Sequence, residues 1–465
     1  MTCFRITAPF LSERALIFLT RSAVMLKKFL SFCLSLVIIV GVLSVPSLAV
    51  SEAFSRVTTA KTPTSSAALK FSKKLGAGYV NAPTGPIVVE DVLIVAAGST
   101  LYKLNAETGE TIASAALAGS LGFATVSPTY ADGKIFVLLD GGKIQAFSFK
   151  NFRSLWVYTD PLGGQAISPV TYDSGYVYTG FWNDEDQNAN YVCLSVKDEN
   201  SKKETEAKKA RWTYKHKGGF YWAGCAVTES FVVVGSDDGK KGSTSDSKIL
   251  CLEKKSGKLV SSLKTKGDLR SSVTYDKKSS SFFVSSKAGY VYRFKQNAKS
   301  GKLSSLKAFK ACGAVTSTPV VVNSRLYFGC ADKTAGRFVV LDASTMKEIY
   351  HSQMNGYPQS TALVSTRENG KTYVYMTYNA KPGGITVFED SDSQKSAKKT
   401  ELFSPSGGQS QYCICSVNCS GDGTLYYKND SGCIFAVGAD SASFIVRLIN
   451  AVIRFLSKLL TGARQ

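Results

Sequence analysis

Residues 101–112 read LYKLNAETGETI. The apolar residues 101–104 suit a short strand. Asn105, Glu107, Thr108 and Gly109 then supply the types that reverse a chain, since Asn bonds its own backbone and Gly accepts a positive φ. Thr111 and Ile112 start back in β-forming residues. One such hairpin belongs to many folds. Its recurrence decides between them.

The four-residue core at 101 returns as IQAF at 144, YVCL at 191, ILCL at 249, VYRF at 291, FVVL at 338, ITVF at 385 and IFAV at 434, successive starts lying 42 to 58 residues apart. A glycine stands just upstream in most copies (Gly98, Gly142, Gly289, Gly336, Gly384, Gly432), where a tight hairpin needs positive φ. Ahead of each core lies a second apolar strand, such as VLIVAAG, KIFVLLD, FVVVG or RLYFG. Ahead of that comes an inner segment such as TGPIVV, VSPTYA, ISPVTY or STPVVV. Three or four short strands per unit predict propeller blades, and eight units predict an all-β, eight-bladed β-propeller. The eighth unit ends at IFAVG with no outer strand of its own. The segment ALKFSKKLG at 68–76 is able to supply one, with Phe71 at the outer-strand aromatic position, so that the ring closes without an open sheet edge.

The segment LNAETGETI resembles the turn of the pyrroloquinoline-quinone-type propeller repeat, Ala-x-Asp-x-x-Thr-Gly followed by Trp, and the span from about 68 to 439 is similar to that superfamily. The superfamily includes quinoprotein dehydrogenases, an outer-membrane assembly scaffold lipoprotein and exported propellers with no assigned activity. In it, the outer-strand Trp docks against a neighbouring blade. The matching residues here are Trp156 and Trp212, with Phe71 and Tyr350 as aromatic substitutes and Ala113 and Ser261 in two other units. The resemblance also implies what an enzyme of this type would need: a metal held by carboxylates and an amide, a catalytic aspartate, and often two adjacent cysteines under the cofactor. This chain has no Cys-Cys pair. Its inner segments PIVV, SPTY, SPVTY, GCAV, SSVTY, TPVVV, TALVS and CICSV are poor in carboxylates, so they do not make a negatively charged metal cage. The expectation is a non-catalytic binding or scaffold module without catalytic residues or cofactor, pyrroloquinoline quinone included. A scaffold in envelope protein assembly and a quinone-dependent oxidoreductase stand as the alternatives.

The chain has 465 residues and a formal net charge of +21, much of it in lysine pairs such as Lys202-Lys203, Lys254-Lys255 and Lys398-Lys399. Solvated loop tips explain such pairs, and so does attraction to an anionic membrane or cell-wall surface. No arginine-rich or aromatic-basic module points to nucleic acid. The start is read as a leader, 1–49. From Met25, the expected true start, two lysines precede an apolar run that ends in Ser47-Leu48-Ala49, the pattern of an export signal. Cys33 lies inside that run, which argues against a lipid-modified cysteine. Nine cysteines follow the leader, so at least one thiol is expected to be unpaired, and the spacing of CICSVNC at 413–419 does not suit zinc. Residues 50–66 are read as a linker and 67–440 as the propeller. The protein is expected to be exported, envelope-associated and monomeric.

Two tryptophans fall outside the repeat: Trp182 in TGFWNDEDQNAN and Trp222 in KGGFYWAG. Both sit on connections of one propeller face. They read as a stacking platform for a glycan, peptide or protein ligand, or as a shield over the seam between the third and fourth units. Gln165, Tyr221, Arg270, Gln359 and Gln411 enter inner strands at the channel mouth and offer a polar ring, which any water-filled channel also requires. Asp184, Asp186 and Asn188 alternate as in a calcium loop. Against calcium, Ala189 stands where that loop has Gly and Ser195 where it has Glu, so a solvated acidic turn competes. The last segment, 441–465, reads as an amphipathic α-helix with a broad apolar half and a polar half carrying Arg447, Arg454 and Lys458, suited to a membrane interface or to docking on the propeller.

Overall fold

The eight repeats fold into eight mainly antiparallel sheets in the computed structural model, which describes residues 50–439 except 53–55, 124–125, 243–244 and 333–334. The 441–465 segment with Arg447, Arg454 and Lys458, and the leader with Met25, lie outside the described residues. Blade 1 runs outward through Ile87–Val89, Val92–Ala97, Thr100–Asn105 and Thr111–Ala116. Its second strand is buried almost throughout, whereas its outer strand alternates between exposed and half-buried. The reason is placement: the middle strands are sandwiched between neighbouring blades and need apolar residues on both faces, while the outer strand keeps one wet face. The core therefore lies between blades. Phe136 and Trp156 of blade 2 pack with Val177, Phe181 and Val192 of blade 3, and Val340 and Tyr350 of blade 6 with Val374 and Phe388 of blade 7.

The outer-strand aromatics lock each blade to the next. Trp212 donates from Nε1 to the Lys254 carbonyl at 2.9 Å and lies flat on Gly257, where a Cβ would come within 2.6 Å of the ring. Gly257 also takes φ +72, so the turn needs glycine twice over. Phe71 covers Gly109 in the same way, at 2.7 Å. Where the aromatic is missing, Ser261 donates to the Gly301 carbonyl at 2.7 Å and keeps the link as a hydrogen bond. Gly336 and Gly384, expected to supply positive φ, do not. Their missing side chains instead let Pro358 and the Phe403 carbonyl approach, a Cβ meeting each at 2.3 Å.

The eighth sheet takes Ala68–Lys74 as its outer strand, paired antiparallel with Cys433–Gly438 from Ala68 opposite Gly438 to Lys74 opposite Cys433. Blade 2 gains a fifth strand, Glu206–Lys208, parallel to its outer strand, with Lys208 Nζ 5.5 Å from the centre of the Trp156 ring.

Residues 50–66 are not a bare linker. Ser51–Glu52 pairs with the inner strand of blade 4, and Val57–Thr58 pairs parallel with that of blade 7. Inner strands present unpaired backbone groups toward the axis, and an extended segment satisfies them. The two paired stretches thus lie on inner strands three blades apart. Arg56 lies between them in the chain, buried, donating to the carbonyls of Thr361 at 3.1 Å, Ala362 at 3.2 Å and Val417 at 2.5 Å and to Asn418 Oδ1 at 2.9 Å. The nine cysteines of the described region are all free thiols.

Candidate functional site

Two concavities lie near the axis. The first is a cavity of about 350 Å³ with lining residues from all eight blades. Its wall is hydroxyls and hydrocarbon: Ser127, Ser272, Thr318, Ser360 and Ser416 among the former, Ile87, Val89 and Ile414 among the latter, with Arg56 and Trp222 also on the wall. Ser272 Oγ is buried with no hydrogen-bond partner. No Asp, Glu, Lys or His is among the described residues lining it. Burial pushes the Arg56 guanidinium down to about 10, which leaves it charged at neutral pH.

The second is a groove of about 500 Å³ on the face where the chain enters the inner strands. One wall is Trp182 and Tyr221, edge to face with ring centres 5.1 Å apart, and the other is Tyr79 and Phe123, edge to face at 6.1 Å. The backbones of Gln165 and Trp182 exchange two hydrogen bonds, 2.8 and 3.1 Å, which fix the indole against the blade 2–3 connection. The indole Nε1 is buried and has no acceptor in the structure.

Arg270 forms the floor. Its guanidinium lies 4.4 Å from the centre of the Tyr221 ring and 5.9 Å from that of Trp182. Three carboxylates hold it there: Asp237 at 2.8 Å, Glu185 at 3.3 Å and Asp268 at 3.4 Å. Burial pushes the Asp237 carboxyl up to about 7 even beside this cation, and burial also raises the Tyr221 phenol. Glu185 is held below the usual range, first by the Gly242 backbone N–H at 2.8 Å and also by Lys287. With three acids around it, Arg270 is a stacked wall rather than a free anion receptor. The groove can grip a flat or apolar group between aromatic walls.

Of the residues singled out in the sequence, Gln165, Trp182, Tyr221 and Arg270 meet in this groove. Trp222 does not. It takes φ +55, lines the axial cavity, and touches Tyr221 edge to face at 4.8 Å, so both tryptophans contact one tyrosine but line different concavities. Gln359 also faces the cavity, its Oε1 accepting from Asn379 Nδ2 at 2.9 Å. Gln411 belongs to neither lining. Asp184 and Asp186 both face Lys241 Nζ, at 3.7 and 3.9 Å, and Asn188 is a strand residue opposite Lys217. Among the described residues no group of three or more His, Cys, Asp or Glu is placed to hold a metal. Tyr79 and Phe123 were missed in the sequence. Their signal was slight: an aromatic inside each of the glycine-containing turns GAGYVNA and GSLGF.

Residues 58–185 match the family described as outer membrane protein assembly factor BamB. No curated protein matches the sequence. The fold is similar to that of BamB from Moraxella catarrhalis, with TM-score 0.53 and 12% identity over 80% of this chain and 99% of that one. It is similar to the quinohemoprotein alcohol dehydrogenase of Comamonas testosteroni, with TM-score 0.57 and 10% identity over 82% and 78%. It is also similar to Sqt1 of Saccharomyces cerevisiae, with TM-score 0.53 and 9% identity over 80% and 99%. Identities this low establish the architecture and leave function to the site itself. The axial cavity does not fit the quinone and metal of the dehydrogenases. A cation there needs anionic oxygen ligands, and the lining offers hydroxyls, the amides of Gln359 and Asn418 and alkyl groups but no carboxylate.

Proposed function

We propose that this chain, a member of the PQQ-like β-propeller superfamily, is a non-catalytic binding or scaffold module whose ligand face is the Trp182–Tyr221–Arg270 groove. The observation that carries the reading is the pairing of an aromatic-walled groove with an axial cavity whose lining has no carboxylate. The first holds a ligand, and the second lacks the groups that dehydrogenase chemistry requires. The ligand is a glycan or a peptide presenting an aromatic or apolar side chain, because a groove between aromatic walls favours flat faces over charge. The leader pattern from Met25 supports export and an envelope location. A scaffold role in envelope protein assembly is the second reading, supported by the family match over 58–185.

The test is a glycan and peptide array probed with the full chain and with Trp182→Ala. The expected result is a ligand class held by the parent and lost in the variant, with unchanged melting. Dye reduction by the parent incubated with quinone and calcium and supplied with an alcohol as electron donor would overturn the non-catalytic reading. Retention of every array signal by Trp182→Ala would move the ligand face elsewhere.

A further inference from the structure

Three consecutive blades turn lysine-bearing outer strands to solvent. Trp212–Lys217 in blade 3, Leu259–Lys266 in blade 4 and Leu303–Lys310 in blade 5 contain no Asp or Glu. Lys215, Lys217, Lys264, Lys266 and Lys307 are all exposed, and none of the five forms an ion pair with a described residue. Two of them make the electrostatics worse than chance would. Lys264 stands directly opposite Lys248 in the ladder, and Lys307 directly opposite Arg293. Like charges in facing positions weaken a strand pair. Arg293 spends its hydrogen bonds on neutral acceptors, the Ser281 hydroxyl and the Ser344 carbonyl, both at 3.0 Å, which leave its charge in place. Of the five, only Lys266 faces an acid, Asp246. His216, between Lys215 and Lys217, is pushed down to about 4 by burial and then by Lys248, so the strip is a lysine field at neutral pH.

The strip is also held in shape. Trp212 fixes the blade 3 strand to the Lys254 carbonyl, and Ser261 fixes the blade 4 strand to the Gly301 carbonyl. Eight blades share a full turn, so outer strands of neighbours face directions about 45° apart and the three together wrap about 90° of the rim.

We propose that the rim of blades 3 to 5 binds a linear polyanion with phosphate or phosphodiester groups in its repeat. A flexible anionic chain can follow a convex strip and neutralise facing lysines in turn, whereas a flat bilayer meets only one strand of such a strip at a time. The binding gains from counterion release and is weakened by salt. This site is on the rim and is independent of the groove on the face.

The experiment uses the full chain and long-chain inorganic polyphosphate, followed by fluorescence anisotropy across a salt series. The belt variant combines Lys215→Gln, Lys217→Gln, Lys264→Gln, Lys266→Gln and Lys307→Gln. A charge-matched control combines Lys74→Gln, Lys150→Gln, Lys347→Gln, Lys381→Gln and Lys395→Gln, all exposed and on other blades. The expected result is an affinity loss of about tenfold or more in the belt variant only. The slope of log K against log salt should become shallower by roughly 3.5, as five lost contacts to a single-stranded polymer dictate. All three proteins are melted first, and the belt variant is expected to unfold at or above the parent's temperature, since two facing like-charge pairs are gone. Equal losses in belt and control would reduce the effect to net charge and overturn the proposal. So would absence of polymer binding by the parent. Tighter binding to phosphatidylglycerol vesicles than to the polymer, abolished by the belt variant, would overturn it in favour of a membrane surface.

Discussion

At the scale of single residues, a glycine and an aromatic form the blade-to-blade locks at Gly109–Phe71 and Gly257–Trp212. Gly257→Ala meets two penalties. The left-handed backbone alone costs about 1–2 kcal/mol for a residue with a Cβ, and the new methyl runs into the Trp212 ring. Trp156→Ala, at a fully buried ring, is expected to cost about 3–5 kcal/mol. Trp182→Ala, at a half-buried ring on the groove, should cost clearly less. Denaturant melting of the three variants checks the ranking, and a Trp182→Ala loss as large as that of Trp156→Ala would make Trp182 a structural residue. The locks were legible because Thr-Gly or Ser-Gly turns and outer-strand aromatics recur at matching places in several units. The placement of Trp222 was not. Trp222 follows Tyr221 directly, and sequence puts both on one connection without saying that the backbone at Trp222 turns its ring into the channel.

At the scale of elements, residues 50–66 carried no readable pattern, because their bonds are made by backbone and one arginine rather than by a periodic apolar face. Their docking is sensitive to pH through Glu52. Burial pushes this carboxyl up to about 7 from its ordinary 4.5, more than the Tyr275 N–H pulls it down. Between those two values the docked segment holds a proton that the undocked segment releases. Docking is therefore strongest at the acid end of the window and weakens as pH rises toward 7. Limited proteolysis of residues 50–64 should accelerate from about pH 5 to about pH 8 relative to the rest of the chain, and Glu52→Gln should flatten that ratio. A parent whose ratio does not change with pH would show that Glu52 titrates at its ordinary value.

At the scale of the whole molecule, the eight-fold count was readable from strand cores alone, while the two concavities were not, since each is lined by residues from several blades far apart in sequence. Removing residues 67–74 takes away a paired strand of blade 8 and uncovers Gly109 of blade 1 at once. The expected outcome is a large drop in melting temperature and a tendency to associate through the bared edge. A truncated protein that melts with the parent would show that blade 8 stands without that strand. The same pairing has a consequence in time. Ala68 meets Gly438 across nearly the full length of the chain, so a ribosome has made every other blade before this one can be completed. Until then Ala68–Lys74 waits without its partner, and long-range pairing of this kind is slow to find. The ring therefore stays open until Cys433–Gly438 has been made, and that strand sets the moment at which it closes.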